Sequence, residues 1–282
     1  MKIITTTSYM IKASRNIRAE NKTIALVPTM GYLHEGHLSL VRKAREECDA
    51  VIVTIFVNPK QFGKGEGLDK YPRDLEKDKR FLEKENVDIL FAPDAYQMYP
   101  NGYSSYVEVK GAVTEGLCGF SRQGHFKGVA TIVTKLFNIT TPDKAYFGQK
   151  DAQQAVMIKQ MVKDLNIPIA IRVMPIVREK DGLAMSSRNS YLSPDERKEA
   201  RNIYQALKKA EEMVANDEFS TDNIKREMRR VIEEKKGLKI DYAEIVDGET
   251  LEPLKKICKN SLAVLAVFAG ETRLIDNTFL KK

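Results

Sequence analysis

The chain has 282 residues, of which 43% are hydrophobic and 30% charged. This is an ordinary globular composition, which excludes disordered and fibrous classes, and the length predicts one large domain or two smaller ones. The longest apolar runs, residues 50–57 and 262–269, are far below the roughly 20 residues that a membrane span requires. The first 16 residues lack the apolar core of a secretory signal. We therefore expect a cytoplasmic protein without a membrane segment.

The net charge indicates which class of partner the chain binds, and the spacing of the cysteines indicates whether they bind a metal. Lys and Arg outnumber Asp and Glu by 46 to 39, so the formal net charge is +7, which favours anionic partners. Basic and acidic residues are mixed along residues 42–47, 73–85 and 225–236, as is typical of solvated helix faces, so a small phosphorylated molecule is favoured over nucleic acid. Cys48, Cys118 and Cys258 lack metal-ligand spacing and are interpreted as reduced structural thiols.

The first two thirds of the chain alternate between strand-like and helix-like segments. Residues 23–27 predict a strand, Leu38, Val41 and Ala44 share one face of a predicted helix, and residues 50–57 predict a buried strand. The alternation continues with a helix at 73–85, a strand at 87–92, a strand at 145–147, a helix at 151–164 and a strand at 169–174. This order predicts an α/β fold with a Rossmann-like parallel sheet that binds ligands at the carboxyl ends of its strands.

The last third of the chain has a different organisation. Ser193, Pro194 and Glu196 form a capping box with proline at the first helical position, which predicts a helix to about residue 215. A second helix at 222–236 precedes strands at 240–246, 262–268 and 272–275, the last two joined by a turn at Gly270 and Glu271. We predict a Rossmann-like domain over residues 1–176 and a smaller α+β domain over 177–282, with a cleft between them.

All three histidines lie next to or near glycine, and two of them form an HEGH sequence where a predicted strand leads into a helix. His34 and His37 are three residues apart, so both rings can face the same side of the first helical turn. The N-terminus of a helix favours phosphate, and two imidazole donors there would stabilise charge on an α-phosphate as pyrophosphate departs. The alternative is a capped helix start with incidental histidines. A zinc site is disfavoured because HEGH supplies only two ligands.

Five segments resemble, in order, the pantoate–β-alanine ligase family of the HxGH nucleotidyltransferase superfamily. They are PTMGYLHEGHLSLV (28–41), FVNPKQF (56–62), RQGHFKGV (122–129), AYFGQKDAQQ (145–154) and AMSSRN (184–189). The resemblance implies an ATP-dependent ligase in which pantoate carboxylate attacks the α-phosphate of ATP, after which the amine of β-alanine attacks the pantoyl adenylate and expels AMP. The last hundred residues contain no catalytic motif and match the family only in their general character.

The resemblance also implies site residues. It assigns His34, His37, Lys150 and Arg188 to catalysis. It assigns ATP contacts to these two histidines, this lysine and this arginine, and also to Met30, Gly31, Gly148, Gln149, Asp151, Val177, Met185, Ser186 and Ser187. It assigns Gln61, Gln154, Arg122 and His125 to pantoate and β-alanine. The smaller domain is expected to close over the ATP site.

Local pattern leaves several of these assignments open. Gln61 can equally be a turn-capping amide after Asn58 and Pro59, and residues 148–151 can be a plain helix start with a surface lysine. Residues 185–188 can be a serine-rich linker, and Val177 a simple strand residue. Arg122 and His125 can belong to an ordinary loop with a buried histidine.

The sequence also leads to expectations about magnesium and the oligomeric state, and it leaves two rival functions. Mg²⁺ is expected with ATP, held mostly by phosphate oxygens and water, with no tightly bound organic cofactor. Asp78 is a candidate protein ligand, against the alternative of a solvated helical acid. The family implies a homodimer. The rival enzyme is another HxGH nucleotidyltransferase that acts on a phosphate acceptor, and the non-enzyme rival is a basic nucleic-acid or nucleotide-binding module, which the sequence disfavours because it lacks Trp and any aromatic and basic stripe.

Overall fold

The computed structural model describes residues 1–63 and 67–281, and the chain forms two compact units. The first consists of Met1–Lys110, Gly119–Gly148 and Met157–Met174. The second consists of Gly111–Cys118, Gln149–Val156 and Pro175–Lys282. The chain therefore changes unit near Met174, and two short earlier segments belong to the second unit. In the described ranges no helix is both long and apolar enough to cross a membrane.

The first unit is built on a six-stranded sheet in which every neighbouring pair is parallel. The strands are β1 (Lys2–Ile4), β2 (Ile24–Thr29), β3 (Ala50–Ile55), β4 (Ile89–Phe91), β5 (Lys144–Gly148) and β6 (Ala170–Met174), in the spatial order β1-β4-β3-β2-β5-β6. The chain leaves β2 towards β3 and later returns to place β5 on the other side of β2. This topological switch point lies at the carboxyl ends of β2 and β5, where open α/β sheets bind ligands.

Ten helices accompany these strands and those of the second unit in the described ranges. They are α1 (Thr7–Ala19), α2 (Glu35–Glu47), α3 (Leu75–Lys84), α4 (Ala95–Met98), α5 (Ala112–Glu115), α6 (Cys118–Ser121), α7 (His125–Thr140), α8 (Ala152–Asp164), α9 (Pro194–Ala215) and α10 (Thr221–Glu233). On one face of the six-stranded sheet, Val27 and Val53 pack with Val41 of α2 and Leu82 of α3. Side chains along a strand alternate between the two faces of the sheet. The fully buried residues next to Val27 in β2 and next to Val53 in β3 therefore face the opposite side, where α1 and α7 pack.

The second unit contains an antiparallel sheet and two long helices. Strands β7 (Leu238–Asp247), β8 (Ser261–Ala269) and β9 (Thr272–Phe279) lie in that order, and Gly270, at φ +56°, begins the two-residue turn between β8 and β9. Apolar residues of α9, α10 and the sheet form one core. The Ser193 capping box is present, and α9 runs from 194 to 215 as its pattern predicts.

The structure confirms the predicted fold class, and it adds elements that the sequence pattern did not reveal. These are β1, α1, α7 and the four-residue helices α4, α5 and α6, together with a β9 that continues to Phe279 beyond the predicted end at 275. All three cysteines are free thiols; Cys48 and Cys118 are buried, whereas Cys258 is exposed.

Candidate active site

The loop between β2 and α2 has an unusual backbone. Gly31 has φ +80°, and the next residue, Tyr32, has φ +52°, so two consecutive residues adopt the left-handed conformation. A Cβ atom on Gly31 would lie 2.9 Å from Ile55 Cγ2 and 3.1 Å from Asp78 Oδ2. Glycine is therefore required both by its conformation and by the close approach of β3 and α3.

The two histidines of HEGH lie side by side at the start of α2. His34 is the N-cap residue, His37 is in the first turn, and their ring centroids are 4.1 Å apart. The backbone N–H of His34 donates to His37 Nδ1 at 3.4 Å, which leaves the proton of a neutral His37 ring on Nε2. The rings share one side of the turn, as their spacing predicts, beside a helix end that favours an anion.

Asp78 of α3 holds this loop through its backbone. Its carboxylate accepts hydrogen bonds from the N–H groups of Tyr32, at 2.8 Å, and Leu33, at 2.7 Å. The residue is only 1% exposed, and burial raises the pKa of its carboxyl group. The alternative of a solvated acid is therefore wrong. The geometry also favours a structural role over the predicted metal ligation, because both oxygens accept from the loop.

Asp78→Ala is expected to lower the free energy of unfolding by about 2 to 4 kcal/mol, because it removes the acceptor of two loop N–H groups, one buried and one half-buried. The effect is measured by urea denaturation. Glu76→Ala on the same helix is the control, since Glu76 is exposed and forms a surface ion pair with Lys79, and such pairs contribute little. Equal stability of the two variants would contradict the role assigned to Asp78.

The amide of Gln61 is fixed by its neighbours in the first unit. Gln61 ends a 3-10 turn (Pro59–Gln61) and is buried. Its Nε2 lies 3.0 Å from Met30 Sδ, and its Oε1 accepts from Asn58 Nδ2 at 3.0 Å. Asn58, which the sequence did not single out as a site residue, is itself buried and caps the turn through Oδ1, so it orients Gln61.

His125 and Arg122 join the same cluster. His125 begins α7 after Gly124, and its Nδ1 lies 2.8 Å from the backbone oxygen of Gln61. Arg122 lies 2.9 Å from His125 Nε2, and since a guanidinium can only donate, Nε2 accepts and Nδ1 carries the proton. The structure thus brings together Met30, Gln61, Arg122 and His125, which the sequence placed in three separate segments.

Residues 149–151 form a 3-10 turn of the second unit rather than the first turn of α8. Lys150 Nζ lies 3.7 Å from Asp151 Oδ1. The ammonium group of Lys150 is therefore a cation that can bind an anionic ligand. Gln149 donates from Nε2 to Asn277 Oδ1 at 3.0 Å. Gln154 is half-buried on α8.

A hairpin in the second unit joins Val177 to the AMSSRN segment. Met185 N donates to Val177 O at 3.0 Å, which makes these two predicted ATP-contacting residues direct neighbours. The hydroxyl of Ser186 accepts from Arg188 N and caps a 3-10 turn (Ser187–Tyr191). Asn189 donates to Glu179 Oε1 and Ala184 O and ties this turn to the hairpin. The segment is therefore a hydrogen-bonded loop that contains a 3-10 turn.

Comparison with known proteins extends over the whole chain. The family model for pantoate-beta-alanine ligase matches residues 2–279. Pantothenate synthetase of Thermotoga petrophila is 56% identical over 280 residues, which cover 99% of this chain and 100% of the relative. The protein of the same name from Syntrophomonas wolfei is 53% identical over 281 residues and covers 100% of both chains.

Solved structures give the same result. A pantothenate synthetase of Thermus thermophilus superimposes with a TM-score of 0.96 at 42% identity and covers 100% of both chains. A pantoate-beta-alanine ligase of Francisella tularensis, complexed with beta-gamma ATP and beta-alanine, has a TM-score of 0.83 at 36% identity and covers 99% of this chain and 97% of its own. With these matches beside the HEGH helix start and the ordered Gln61 cluster, the chain belongs to the pantoate–β-alanine ligase family.

Proposed function

We propose that this chain condenses pantoate with β-alanine at the expense of ATP and forms pantothenate, AMP and pyrophosphate. In the first step a pantoate carboxylate oxygen bonds to the α-phosphorus, and the bond from that phosphorus to the β-phosphate oxygen breaks. In the second step the β-alanine nitrogen bonds to the acyl carbon, the bond to AMP breaks, and the amine loses a proton. The observation that carries the proposal is the paired imidazoles at the start of α2 in a chain that its family model covers from residue 2 to 279.

His34 and His37 are proposed to stabilise the α-phosphate during adenylate formation. They stand where the N-terminus of α2 favours negative charge, and preorganised donors of this kind act on the charge that develops as pyrophosphate leaves. Met30 and Gly31 belong to the same loop and are proposed to contact ATP.

The Gln61 cluster is proposed to bind pantoate. A primary amide can donate to a carboxylate and accept from a hydroxyl, and pantoate carries both groups. Arg122 is proposed to supply further donors next to Gln61, and His125, which donates from Nδ1 to Gln61 O and accepts from Arg122 at Nε2, is proposed to line the same subsite. Gln154 is proposed as a second amide ligand of pantoate.

Several further residues are proposed as ATP ligands. Lys150 offers a mobile charge, Asp151 an acceptor for ribose hydroxyls, and Arg188 a bidentate donor for the phosphates. The other proposed ligands are Gly148, at the end of β5 in the first unit, with Gln149, Val177, Met185, Ser186 and Ser187.

Magnesium is proposed to accompany ATP. The ion is proposed to be held mostly by phosphate oxygens and water, as Mg²⁺ usually is beside nucleotide phosphates. A homodimer and a cytoplasmic location are proposed from the family resemblance and from the use of ATP. No nucleic-acid partner is proposed.

The assay that tests the function measures AMP released from ATP and Mg²⁺, omitting pantoate and β-alanine in turn. Exchange of labelled pyrophosphate into ATP should require pantoate and proceed without β-alanine, because the adenylate forms first. Exchange that needs β-alanine would contradict the two-step scheme. Pyrophosphate release without AMP, with transfer to a phosphate acceptor, would instead support the rival nucleotidyltransferase, which the comparisons do not favour.

Gln61→Ala is expected to raise the KM for pantoate by about ten-fold or more and to leave the KM for ATP nearly unchanged, because the variant loses amide hydrogen bonds to one substrate only. Lys60→Ala is the matched control, since Lys60 lies in the same turn but is exposed. Steady-state kinetics with each substrate varied separately give both constants. Loss of ATP affinity would place Gln61 in the other subsite.

A further inference from the structure

Two adjacent polar residues near the end of β9 are almost completely buried. Asp276 is 2% exposed and Asn277 is 3% exposed. A buried charge and a buried amide are costly unless they are fully hydrogen-bonded, so the partners of these side chains indicate what the residues are for. Consecutive residues of a strand point to opposite faces of the sheet, and these two therefore act on different neighbours.

Asn277 holds the turn that carries Lys150. Its Nδ2 donates to the backbone oxygens of Gln149 and Lys150, both at 3.0 Å, and its Oδ1 accepts from Gln149 Nε2, also at 3.0 Å. Three hydrogen bonds from one amide fix both the backbone of the 3-10 turn and the side chain of its first residue. The direction in which Lys150 leaves the backbone is thereby set.

Asp276 holds the hairpin that begins at Val177. Arg178 donates to both of its carboxylate oxygens, at 2.6 and 3.0 Å, and stacks at 4.1 Å over the ring of Tyr204. Burial raises the pKa of the Asp276 carboxyl group, and Arg178 opposes that shift. Arg178 also donates to Gly182 O at 3.1 Å, so the arginine that Asp276 holds also closes the hairpin.

The same hairpin leads into the proposed phosphate ligands. Val177 O accepts from Met185 N, and the next residues are Ser186, Ser187 and Arg188. One dipeptide on β9 is therefore bonded to both segments of the second unit that the proposed function assigns to ATP.

We propose that Asp276 and Asn277 are positioning residues for ATP, with Asn277 orienting the Lys150 turn and Asp276 orienting the hairpin that carries Val177 and Met185. This inference rests on the proposed function, and it assigns a functional role to a strand in which the sequence offered no catalytic motif. Neither residue needs to touch the nucleotide, because each acts through the backbone or the arginine that it holds.

The test compares Asn277→Ala with Thr278→Ala. Thr278 is the next residue of the same strand, and its hydroxyl donates to Glu211 on α9 at 2.6 Å, so this control removes a hydrogen bond without altering the Lys150 turn. In pyrophosphate exchange, Asn277→Ala is expected to raise the KM for ATP by about ten-fold or more while the KM for pantoate changes by less than about two-fold. Thr278→Ala should leave both constants near the parent values.

A second variant and a direct binding measurement keep the inference testable if Asn277→Ala does not fold. In Asn277→Asp the side chain keeps nearly the same shape, but an oxygen that faces two carbonyl oxygens replaces the donor. This variant should therefore also weaken ATP binding. Calorimetric binding of a non-hydrolysable ATP analogue to each folded variant, with its thermal midpoint recorded, separates weaker binding from lower stability. Equal loss of ATP and pantoate affinity, or no loss of ATP affinity, would overturn the positioning role.

The parent chain separates failure of this inference from failure of the proposed function. A parent chain without pantoate-dependent exchange, but with ATP-analogue binding that Asn277→Ala weakens, would contradict the proposed function and retain the positioning role. If the parent chain shows normal exchange and Asn277→Ala has the same kinetic constants as Thr278→Ala, the proposed function is retained and the positioning role is contradicted.

Discussion

Replacing His37 by Ala is expected to lower kcat by about 10² to 10³, the loss found when one preorganised donor to a developing charge is removed. The ring lies 4.1 Å from that of His34, and the His34 N–H to His37 Nδ1 hydrogen bond directs the protonated Nε2 away from the backbone as a donor. Initial rates at saturating substrates measure the effect. We expect a loss of the same order for His34→Ala.

Two control variants separate catalysis from helix capping. Ser39→Ala removes a hydroxyl that bonds to Gly36 O in the same turn of α2, and it should leave kcat near the parent value. His34 is the N-cap residue, so His34→Asn keeps a good capping residue while it removes the imidazole. Near-normal turnover of both His37→Ala and His34→Asn would mean that HEGH only starts the helix.

Parts of the fold were predictable because they depend on local pattern. The capping box at Ser193 and the apolar stripe behind it define α9, and the apolar run at 50–57 contains β3, which ends at Ile55. Helix α7 was missed because most of its sixteen residues are buried, so it has little polar face and gives little periodic contrast. β9 was cut short at 275 because Asp and Asn are disfavoured in strands. Their burial is offset by Arg178 and by the Gln149 turn, which are distant in sequence.

In the candidate site, too, features that depend on local pattern were predictable and features that depend on distant contacts were not. The spacing of His34 and His37 on one helical turn is local, and the structure places the rings as that spacing predicts. Asp78 lies in a highly charged segment and reads as solvated, yet it is buried because two N–H groups from a loop 45 residues away need an acceptor. Asn58 and Asn277 were missed for a similar reason, since a buried amide is recognised only through the groups that it binds. Sequence identified the residues proposed to meet the substrates and missed those that orient them.

Arg188→Ala is expected to slow adenylate formation by about 2 to 4 kcal/mol in activation free energy if the guanidinium stabilises charge as an oxyanion donor does. Arg188 follows the Ser186 cap in a 3-10 turn, and its backbone N–H donates to the Ser186 hydroxyl. The β and γ phosphates leave as pyrophosphate before the amine attacks, so the charge of Arg188 should matter little in the second step. Given pantoyl adenylate and β-alanine, the variant should form pantothenate at close to the parent rate.

Single-turnover kinetics of each half-reaction test this separation. Lys180→Ala is the charge-matched control, because Lys180 lies exposed in the hairpin and also carries one positive charge. Its removal should affect both steps by less than about two-fold, as expected for a screened surface charge. Arg188→Lys keeps the charge and loses the bidentate geometry, so an intermediate rate would assign part of the effect to hydrogen-bond geometry. If Arg188→Ala slows both half-reactions equally, the 185–188 segment acts as a lid over both steps rather than as a ligand of pyrophosphate.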